Sequence, residues 1–305
     1  MYSTEKHIHN TKIITQWGIY VSKGVKIMDY FTLNDGTKVP AIGFGTFKIK
    51  EESEMDLAIE TALKAGYTYF DTAKFYENED LLGKYLKSYG KNREDYQIAT
   101  KVWPNAYSAD KAKESIEGSL KDLGVDYLDV ALLHWYGDNF KEAWKVLNDY
   151  KDQGIIKSIG VCNFSIDQMT ELLKEGTLPV LDQLESHLHL QDKDTHEFLK
   201  ENKILHQAWG PLAQGKSNLL HEDVLADLGE KYGKTPAQIA LKWNIQRGVM
   251  VLVKSSHEER IYENIDLFDF NLSEDDLYAL ASLDKKERYS ADPEDKEWLE
   301  KAANM

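Results

Sequence analysis

Four polar residues of types that move or orient protons stand at the ends of apolar runs in the sequence. Asp71, Lys101 and His134 each follow such a run, and Tyr76 comes five residues after Asp71. Taken singly, each has an ordinary structural explanation, such as a helix cap, a solvated lysine or a half-buried ring. Taken together, they offer a proton donor, two groups that tune the donor and one group that orients an oxygen atom.

These side chains suit a carbonyl group that receives a hydride at carbon and a proton at oxygen. A tyrosine phenol has a reference pKa of about 10, whereas general acid catalysis improves as the pKa approaches the working pH. The Lys101 ammonium beside Tyr76 would favour the phenolate and lower the pKa of the phenol. Asp71 would keep the lysine charged and fixed in direction, and His134 would orient the carbonyl oxygen. The set predicts carbonyl reduction.

The elements between these residues must bring them together, and the chain alternates between strand-like and helical segments. Strand-like runs are predicted at 42–46, 67–72, 97–102, 127–134, 156–161, 180–185, 204–208 and 249–254. Helical spacing of apolar residues follows them, as at Ile116, Leu120 and Leu123. Eight such βα units predict an α/β fold, a single closed (β/α)8 TIM barrel with its active site at the carboxyl ends of the strands.

An open, doubly wound sheet is the competing architecture. That fold would usually place a G-x-G-x-x-G motif after its first strand, opening a helix. The run from Gly43 to Lys48 has two of these glycines and lacks the third. The missing glycine favours the barrel.

A short β-hairpin is predicted before the barrel. Strand-like residues at 30–33 and 38–42 flank the turn signal Asn34-Asp35-Gly36. No linker rich in Pro, Gly or Ser divides the rest, so we expect one barrel domain over 28–305. Residues 1–27 contain no recognisable signal peptide, and we expect a poorly ordered extension there.

The composition excludes several classes of partner. The 305 residues include 37 Lys and Arg against 52 Asp and Glu, a formal net charge of −15. Such a charge argues against nucleic acid or an anionic membrane held by bulk electrostatics, so any anionic ligand needs a few locally placed cations. No apolar run approaches the roughly 18 residues that span a bilayer. Cys162 is the lone cysteine, which suggests a reducing compartment, and we expect a cytoplasmic monomer.

Three separated motifs make the sequence resemble the aldo-keto reductase family from about Tyr30 to Asp292. The motifs are Gly66 to Ala73 with Tyr76, Asn78-Glu79 and Leu82-Gly83; Leu147 with Lys157 to Phe164; and Lys254-Ser255 with Arg260 and Glu263-Asn264. The resemblance implies a catalytic tetrad of Asp71, Tyr76, Lys101 and His134. It also implies NADPH-dependent reduction of aldehydes and ketones without a metal, as in bacterial members that reduce glyoxal, methylglyoxal or 2,5-diketo-gluconate.

The resemblance also implies how NADP(H) would lie across the barrel mouth. Cys162, Asn163 and Gln183 would surround the carboxamide, with Trp209 flat against the nicotinamide ring. The remaining implied contacts are Thr46 and Asp71 near the cofactor, Gly210, Leu212 and Gly215 along the pyrophosphate, and Glu263 and Asn264 at the adenine. The sequence departs from the family at Trp209, where tyrosine is usual, at Cys162, where serine is usual, and at Asp182, where asparagine is common.

The last motif could hold the additional 2′-phosphate of NADPH. Lys254, Ser255, Ser256 and Arg260 provide two cations and two hydroxyls at the start of a predicted helix. Phosphate groups are best held by Lys and Arg with hydroxyl or backbone donors, often at a helix N-terminus. The same residues could also form an ordinary capped helix with a solvated charged face, an interpretation that the family resemblance disfavours.

An apolar substrate pocket is predicted beside the tetrad. Phe47, Trp103 and Trp135 follow predicted strands, and Tyr76 and His134 would form the polar end of the pocket. These aromatic rings could also be plain packing beneath loops. The tail from Asp284 to Met305 is short and charged. We expect that it cannot wall the pocket on all sides, which would favour small aldehydes, dicarbonyls or keto sugars.

Three other functions remain open from the residues. A non-catalytic cofactor sensor would keep the same binding motifs, although the intact tetrad disfavours it. A metal-dependent hydrolase or isomerase could use His187 and His189, but no clear third ligand accompanies them. A nucleophilic role for Cys162 lacks a recognisable histidine and acid partner, and a lone cysteine at a strand end is more often inert.

Overall fold

A two-stranded antiparallel sheet precedes the main body of the protein. The computed structural model describes residues 28–89 and 92–305, so the expected extension over 1–27 lies outside the described residues. Strands β1 (Tyr30–Thr32) and β2 (Lys38–Pro40) pair in register Phe31 to Val39. Gly36 in the turn between them has φ +89, a conformation that suits glycine. The predicted hairpin is confirmed.

Eight parallel strands then close into a barrel, with β10 completing the ring against β3. The strands are β3 (Ile42–Gly45), β4 (Tyr69–Asp71), β5 (Gln97–Val102), β6 (Leu128–Leu133), β7 (Ile156–Cys162), β8 (Leu181–Glu185), β9 (Leu205–Trp209) and β10 (Met250–Val253). The predicted (β/α)8 barrel is confirmed, and every predicted strand overlaps the observed one.

Helices surround the barrel and the last one follows it. They are α1 (Glu52–Ala65), α2 (Glu79–Ser88), α3 (Ala109–Leu123), α4 (Phe140–Asp152), α5 (Ile166–Leu172), α6 (Lys193–Glu201), α7 (Asp223–Tyr232), α8 (Pro236–Gln246), α9 (Glu258–Ile265), α10 (Glu274–Ala281) and α11 (Lys296–Ala303). Reciprocal side-chain caps begin several of them, as at Thr235 and Gln238 in front of α8. None of the described helices is long and apolar enough to cross a membrane.

The core lies both inside the barrel and between the barrel and its helices. Tyr69, Val130, Leu132 and Met250 fill the barrel interior and are fully buried. Gly83, a residue of the first family motif, lies where α2 packs against the end of α3, and a Cβ there would overlap the Leu123 backbone. The packed layers hold the strand ends rigidly, and those ends carry the site.

Candidate active site

A buried ion pair lies at the centre of the barrel mouth. Lys101 Nζ donates to Asp71 Oδ1 at 2.7 Å and Oδ2 at 2.9 Å, and to the Thr72 carbonyl at 2.8 Å. It also lies 3.3 Å from the Tyr76 hydroxyl oxygen, to which it donates. Because β4 pairs with β5 in parallel, with Asp71 opposite Ala99, Lys101 lies two residues further along β5 on the same face of the sheet. The structure therefore brings three of the four predicted catalytic side chains into contact.

The charges of this cluster fix its protonation. Burial would lower the pKa of Lys101, but the charge of Asp71, together with its hydrogen bond and the nearby Tyr76 and Cys162, outweighs burial, so the lysine pKa is raised and the ammonium is kept. Burial raises the pKa of Tyr76 above its ordinary value, and Lys101 lowers it only in part. The lysine lowers the pKa of Tyr76 as predicted, but the expected net lowering is absent, because burial of the phenol raises the pKa by more. Tyr76 is therefore a protonated phenol at neutral pH.

His134 completes the cluster as a neutral imidazole. Burial and then the Lys101 charge lower its pKa well below the ordinary histidine value. Its Nδ1 is buried and has no hydrogen-bond partner among the described residues, while the ring packs edge-on to Tyr76 at 5.7 Å between centroids. A proton on Nδ1 would be a buried hydrogen-bond donor without an acceptor, so the favourable tautomer carries the proton on Nε2. His134 can then donate one hydrogen bond.

A cavity of about 880 Å³ opens above this cluster. Its walls contain nearly all of the residues singled out from the sequence: Phe47, Asp71, Tyr76, Trp103, His134, Trp135, Cys162, Asn163, Gln183, Trp209, Gly210, Leu212, Gly215, Lys254, Ser255, Ser256, Arg260, Glu263 and Asn264. Thr46 and Lys101 lie behind the wall. Thr46 Oγ1 donates to the Asp71 carbonyl at 3.1 Å, which suits a supporting position better than direct contact with a ligand.

Amide and indole groups line the cavity near the tetrad. Trp209 Nε1 donates to Asn163 Oδ1 at 2.9 Å, and Asn163 Nδ2 donates to the His134 carbonyl at 3.2 Å. Gln183 Nε2 donates to Asp71 Oδ2 at 2.9 Å and to Gln207 Oε1 at 2.7 Å. Trp209, where the family usually has tyrosine, thus provides an indole N–H that fixes the side-chain amide of Asn163. Gln207 was not anticipated from the sequence, because only the folded barrel places it beside Gln183.

The surroundings of Cys162 keep its side chain as an unreactive thiol. Burial raises the pKa of its thiol well above the ordinary value, and Lys101 lowers it only in part. Its Sγ accepts a bond from Asn163 Nδ2 at 3.1 Å. A nucleophilic cysteine requires the thiolate, which these surroundings disfavour.

The loop after β9 has an unusual backbone. Gly210 and Gly215 have positive φ, and so do the non-glycine residues Ala213 (φ +54) and Gln214 (φ +52). Such left-handed residues are uncommon outside glycine and cluster where a binding site requires them. The loop runs along the cavity wall, as the resemblance implied for a pyrophosphate contact.

The far end of the cavity is cationic but already engaged. Lys254 Nζ lies 3.4 Å from Glu54 Oε1, and Ser255 Oγ accepts from the His257 backbone amide at 3.0 Å. Glu263 is held by the Thr235 hydroxyl at 2.7 Å. Glu54 and His257 were not among the predicted site residues. Glu54 is distant along the chain, whereas His257 could have been found from its position between Ser256 and α9.

The aromatic end of the cavity has a wall that was not predicted. Trp103 stacks on Phe75 with ring centroids 3.9 Å apart, and its Nε1 donates to the Ala302 carbonyl of α11 at 2.7 Å. Trp298, also on α11, packs edge-on against Trp135 at 5.4 Å. The charged tail therefore folds back as a helix and closes this side. The cap Asp295, with apolar residues at 298, 299 and 302, was the available sequence signal.

The histidines considered as metal ligands are engaged elsewhere. His187 Nε2 bonds Glu185 at 3.1 Å, and His189 Nε2 bonds Glu222 at 2.8 Å. Within residues 28–89 and 92–305, no group of three or more His, Cys, Asp or Glu side chains could hold a metal ion. Both rings also contact Tyr289 of the tail: His187 stacks on it with ring centroids 5.1 Å apart, and His189 Nδ1 lies 3.2 Å from its hydroxyl oxygen.

The fold and the site together define a barrel oxidoreductase that acts on carbonyl groups. The model of the Aldo/keto reductase family matches residues 41–285, and the chain belongs to that family. Members of the family generally use NAD(P)H.

Curated relatives and solved structures agree with this membership. The methylglyoxal reductase DkgA of Escherichia coli K12 is 41% identical over 266 residues, which is 86% of this chain and 96% of the relative. The glyoxal reductase of Bacillus subtilis is 38% identical over 271 residues, or 88% and 98% of the two chains. An aldo/keto reductase structure from Brucella melitensis matches with a TM-score of 0.81 and 39% identity, covering 85% of this chain and all of that one.

Proposed function

We propose that the protein is an NADPH-dependent reductase of aldehydes and ketones in which Tyr76 is the proton donor. The observation that carries this proposal is the Lys101 ammonium, which is clamped by Asp71 and donates to the Tyr76 hydroxyl oxygen at 3.3 Å. The lysine supplies positive charge where a phenolate would form, and the carboxylate keeps that charge in place.

The donor set of the cavity fits an extended dinucleotide. One end offers the amides of Asn163 and Gln183 and the ring of Trp209, and the other offers Lys254 and Arg260. The two cations meet the condition that an acidic protein must hold an anion with local charge. When bound, a reduced nicotinamide supplies the hydride for the carbonyl carbon.

The remaining steps belong to the residues of the tetrad. The Tyr76 oxygen accepts a hydrogen bond from Lys101, so its own proton is free to face the cavity. His134 Nε2–H orients the carbonyl oxygen and stabilises the charge that develops there. Tyr76 then passes its proton to that oxygen, and the Lys101 ammonium stabilises the phenolate left behind.

Small aldehydes, dicarbonyls and keto sugars are the substrate classes that we propose. The aromatic wall of Phe47, Trp103 and Trp135 supports an apolar pocket with a polar end at Tyr76 and His134. Relatives named methylglyoxal and glyoxal reductases support small dicarbonyls in particular. We also propose that the protein works as a cytoplasmic monomer.

The direct test follows NADPH oxidation by absorbance with methylglyoxal, aromatic aldehydes, keto sugars and a steroid ketone. We expect the highest kcat/KM with a small aldehyde or dicarbonyl and the lowest with the steroid. NADH should support the reaction less well than NADPH. Equal kcat/KM for the two cofactors would contradict the roles proposed for Lys254, Ser255, Ser256 and Arg260.

A further inference from the structure

A carboxylate that the proposed reaction does not use lies next to Lys254 at the cationic end of the cavity. Glu54 lies in the first turn of α1, and its Oε1 is 3.4 Å from Lys254 Nζ. The nearby Ser256 side chain, followed by the charge of Lys254, lowers the pKa of Glu54 below its ordinary value. Glu54 is therefore ionised at neutral pH and lies beside two residues of the proposed phosphate subsite.

A carboxylate and a phosphate seek the same donors. Lys254 and Ser256 are two of the four groups proposed to hold the 2′-phosphate; Lys254 already pairs with Glu54, and Ser256 lies close enough to lower the pKa of that carboxylate. Among the described residues, Arg260 has no carboxylate within ion-pair distance, so it stays available to an anion. A bound phosphate would therefore have to displace Glu54 or lie beside its negative charge.

We propose that Glu54 is a specificity-determining residue that competes with the 2′-phosphate for Lys254 and Ser256 and so weakens selection of NADPH over NADH. The inference rests on the proposed function, because it assumes that this end of the cavity binds the 2′-phosphate. The side chains of Glu54 and Lys254 remain 30% and 34% exposed, so the carboxylate can withdraw toward solvent when an anion enters. Displacement therefore costs affinity without preventing binding.

If Glu54 instead supported the phosphate subsite, its removal would change the affinity for the 2′-phosphate in the opposite direction. If the carboxylate served to aim Lys254 at the phosphate, its removal would loosen the lysine and weaken binding. The 3.4 Å separation is longer than the 2.7–2.9 Å of a strong charge-assisted hydrogen bond, which argues against such a fixed orientation. Removal of one negative charge a few ångströms from a bound phosphate should tighten binding about tenfold after screening by solvent and salt.

The test measures binding of two nucleotide probes to the full chain by calorimetry. Glu54→Gln should bind 2′,5′-ADP about tenfold more tightly than the unmodified protein does, with 5′-AMP affinity unchanged within about twofold. Glu52→Gln is the matched control. It removes the same charge from the same helical turn, but Glu52 pairs with Lys84, whereas Glu54 pairs with Lys254 of the proposed phosphate subsite. It should leave both affinities unchanged.

Other outcomes would overturn the inference. Unchanged or weaker 2′,5′-ADP binding in Glu54→Gln would contradict it, and so would an equal gain in Glu52→Gln, which would indicate a net-charge effect. Glu54→Asp, whose shorter carboxylate would retreat from Lys254, should show an intermediate gain. Failure of the unmodified protein to bind either NADPH or NADH would instead contradict the proposed function, so the two failures can be told apart.

Discussion

Tyr76 experiences two opposing influences on its acidity. Burial raises the pKa of the phenol, and the Lys101 ammonium lowers it by a smaller amount. The sequence indicated the lysine, because both residues follow strand ends, but it could not show how deeply the ring is desolvated. A protonated phenol nevertheless suits the proposed step, since the alkoxide produced by hydride addition is a far stronger base than a phenolate.

Asp182 is a second residue whose burial was not visible in the sequence. It is fully buried on β8, and burial raises the pKa of its carboxyl well above the ordinary value, with only partial relief from the Phe164 backbone amide. That amide approaches the carboxyl, yet neither oxygen has a partner of good hydrogen-bond geometry among the described residues. The family commonly has asparagine at this position, which cannot ionise.

Replacement of Asp182 by asparagine should therefore stabilise the protein at alkaline pH. The folded-state pKa lies above the unfolded value of about 3.9, so the native chain loses stability as pH rises from that value through the folded pKa. Asp182→Asn should be more stable by about 1–2 kcal/mol at pH 8. The gain should vanish near pH 4.

Denaturant unfolding of both proteins at a series of pH values measures this difference. Asp126→Asn, which changes an exposed loop carboxylate, should show no such pH-dependent gain. A stability difference that is the same at pH 4 and pH 8 would refute ionisation as the cause.

The loop after β4 shows how neighbouring elements hold the proposed proton donor, Tyr76. Asn78 Nδ2 donates to the Thr46 and Ile49 carbonyls, both at 2.9 Å, and Asn78 Oδ1 accepts from the Thr72 hydroxyl at 2.9 Å. The short 3₁₀ turn that ends at Tyr76 lies between these anchors. The family motif identified Asn78 as a notable residue, but only the fold shows that it joins the loops after β3 and β4.

Helix α11 is an element that was not predicted from the sequence. Its apolar face consists of Trp298, Leu299 and Ala302. The residues that this face packs against, Trp103 and Trp135, are more than 150 positions earlier in the sequence. A short amphipathic signal beside many charges does not indicate where the helix will dock. The barrel strands were easier to predict, because several of them are local apolar runs and their order around the barrel follows the chain.

Loss of Trp298 should open the wall that α11 provides. Trp298→Ala removes the ring that packs against Trp135, so KM for an aromatic aldehyde should rise about tenfold through lost apolar contact. The kcat/KM for methylglyoxal, which is too small to need this wall, should change less than about twofold.

Steady-state kinetics with both substrates distinguish this effect from general damage. Tyr278→Ala is a suitable control, because Tyr278 is 82% exposed on α10. Equal losses for the aromatic and the small substrate would show that α11 supports the fold and does not shape the pocket.

The whole molecule combines a strongly acidic composition with a local cationic end of the cavity. The net charge of −15 opposes an anionic cofactor, so the binding of NADPH that we propose would depend on Lys254, Arg260 and the neighbouring hydroxyls. Composition and the third motif predicted this much. They could not predict that Glu54, 200 positions before Lys254, would be paired with it, because only closure of β10 against β3 brings those segments together.

The most direct measurement for the molecule is the effect of Tyr76→Phe on NADPH-dependent reduction of methylglyoxal and, separately, on NADPH affinity measured by protein fluorescence. The ring is kept and the acid is removed, so kcat should fall by about 10³-fold or more, in the range expected for loss of a general acid. NADPH affinity should stay within about twofold, and Tyr136→Phe, whose hydroxyl bonds Glu171, should retain activity. Retention of kcat within tenfold, or a loss of NADPH affinity that matches the loss of rate, would contradict the assignment of Tyr76 as the proton donor.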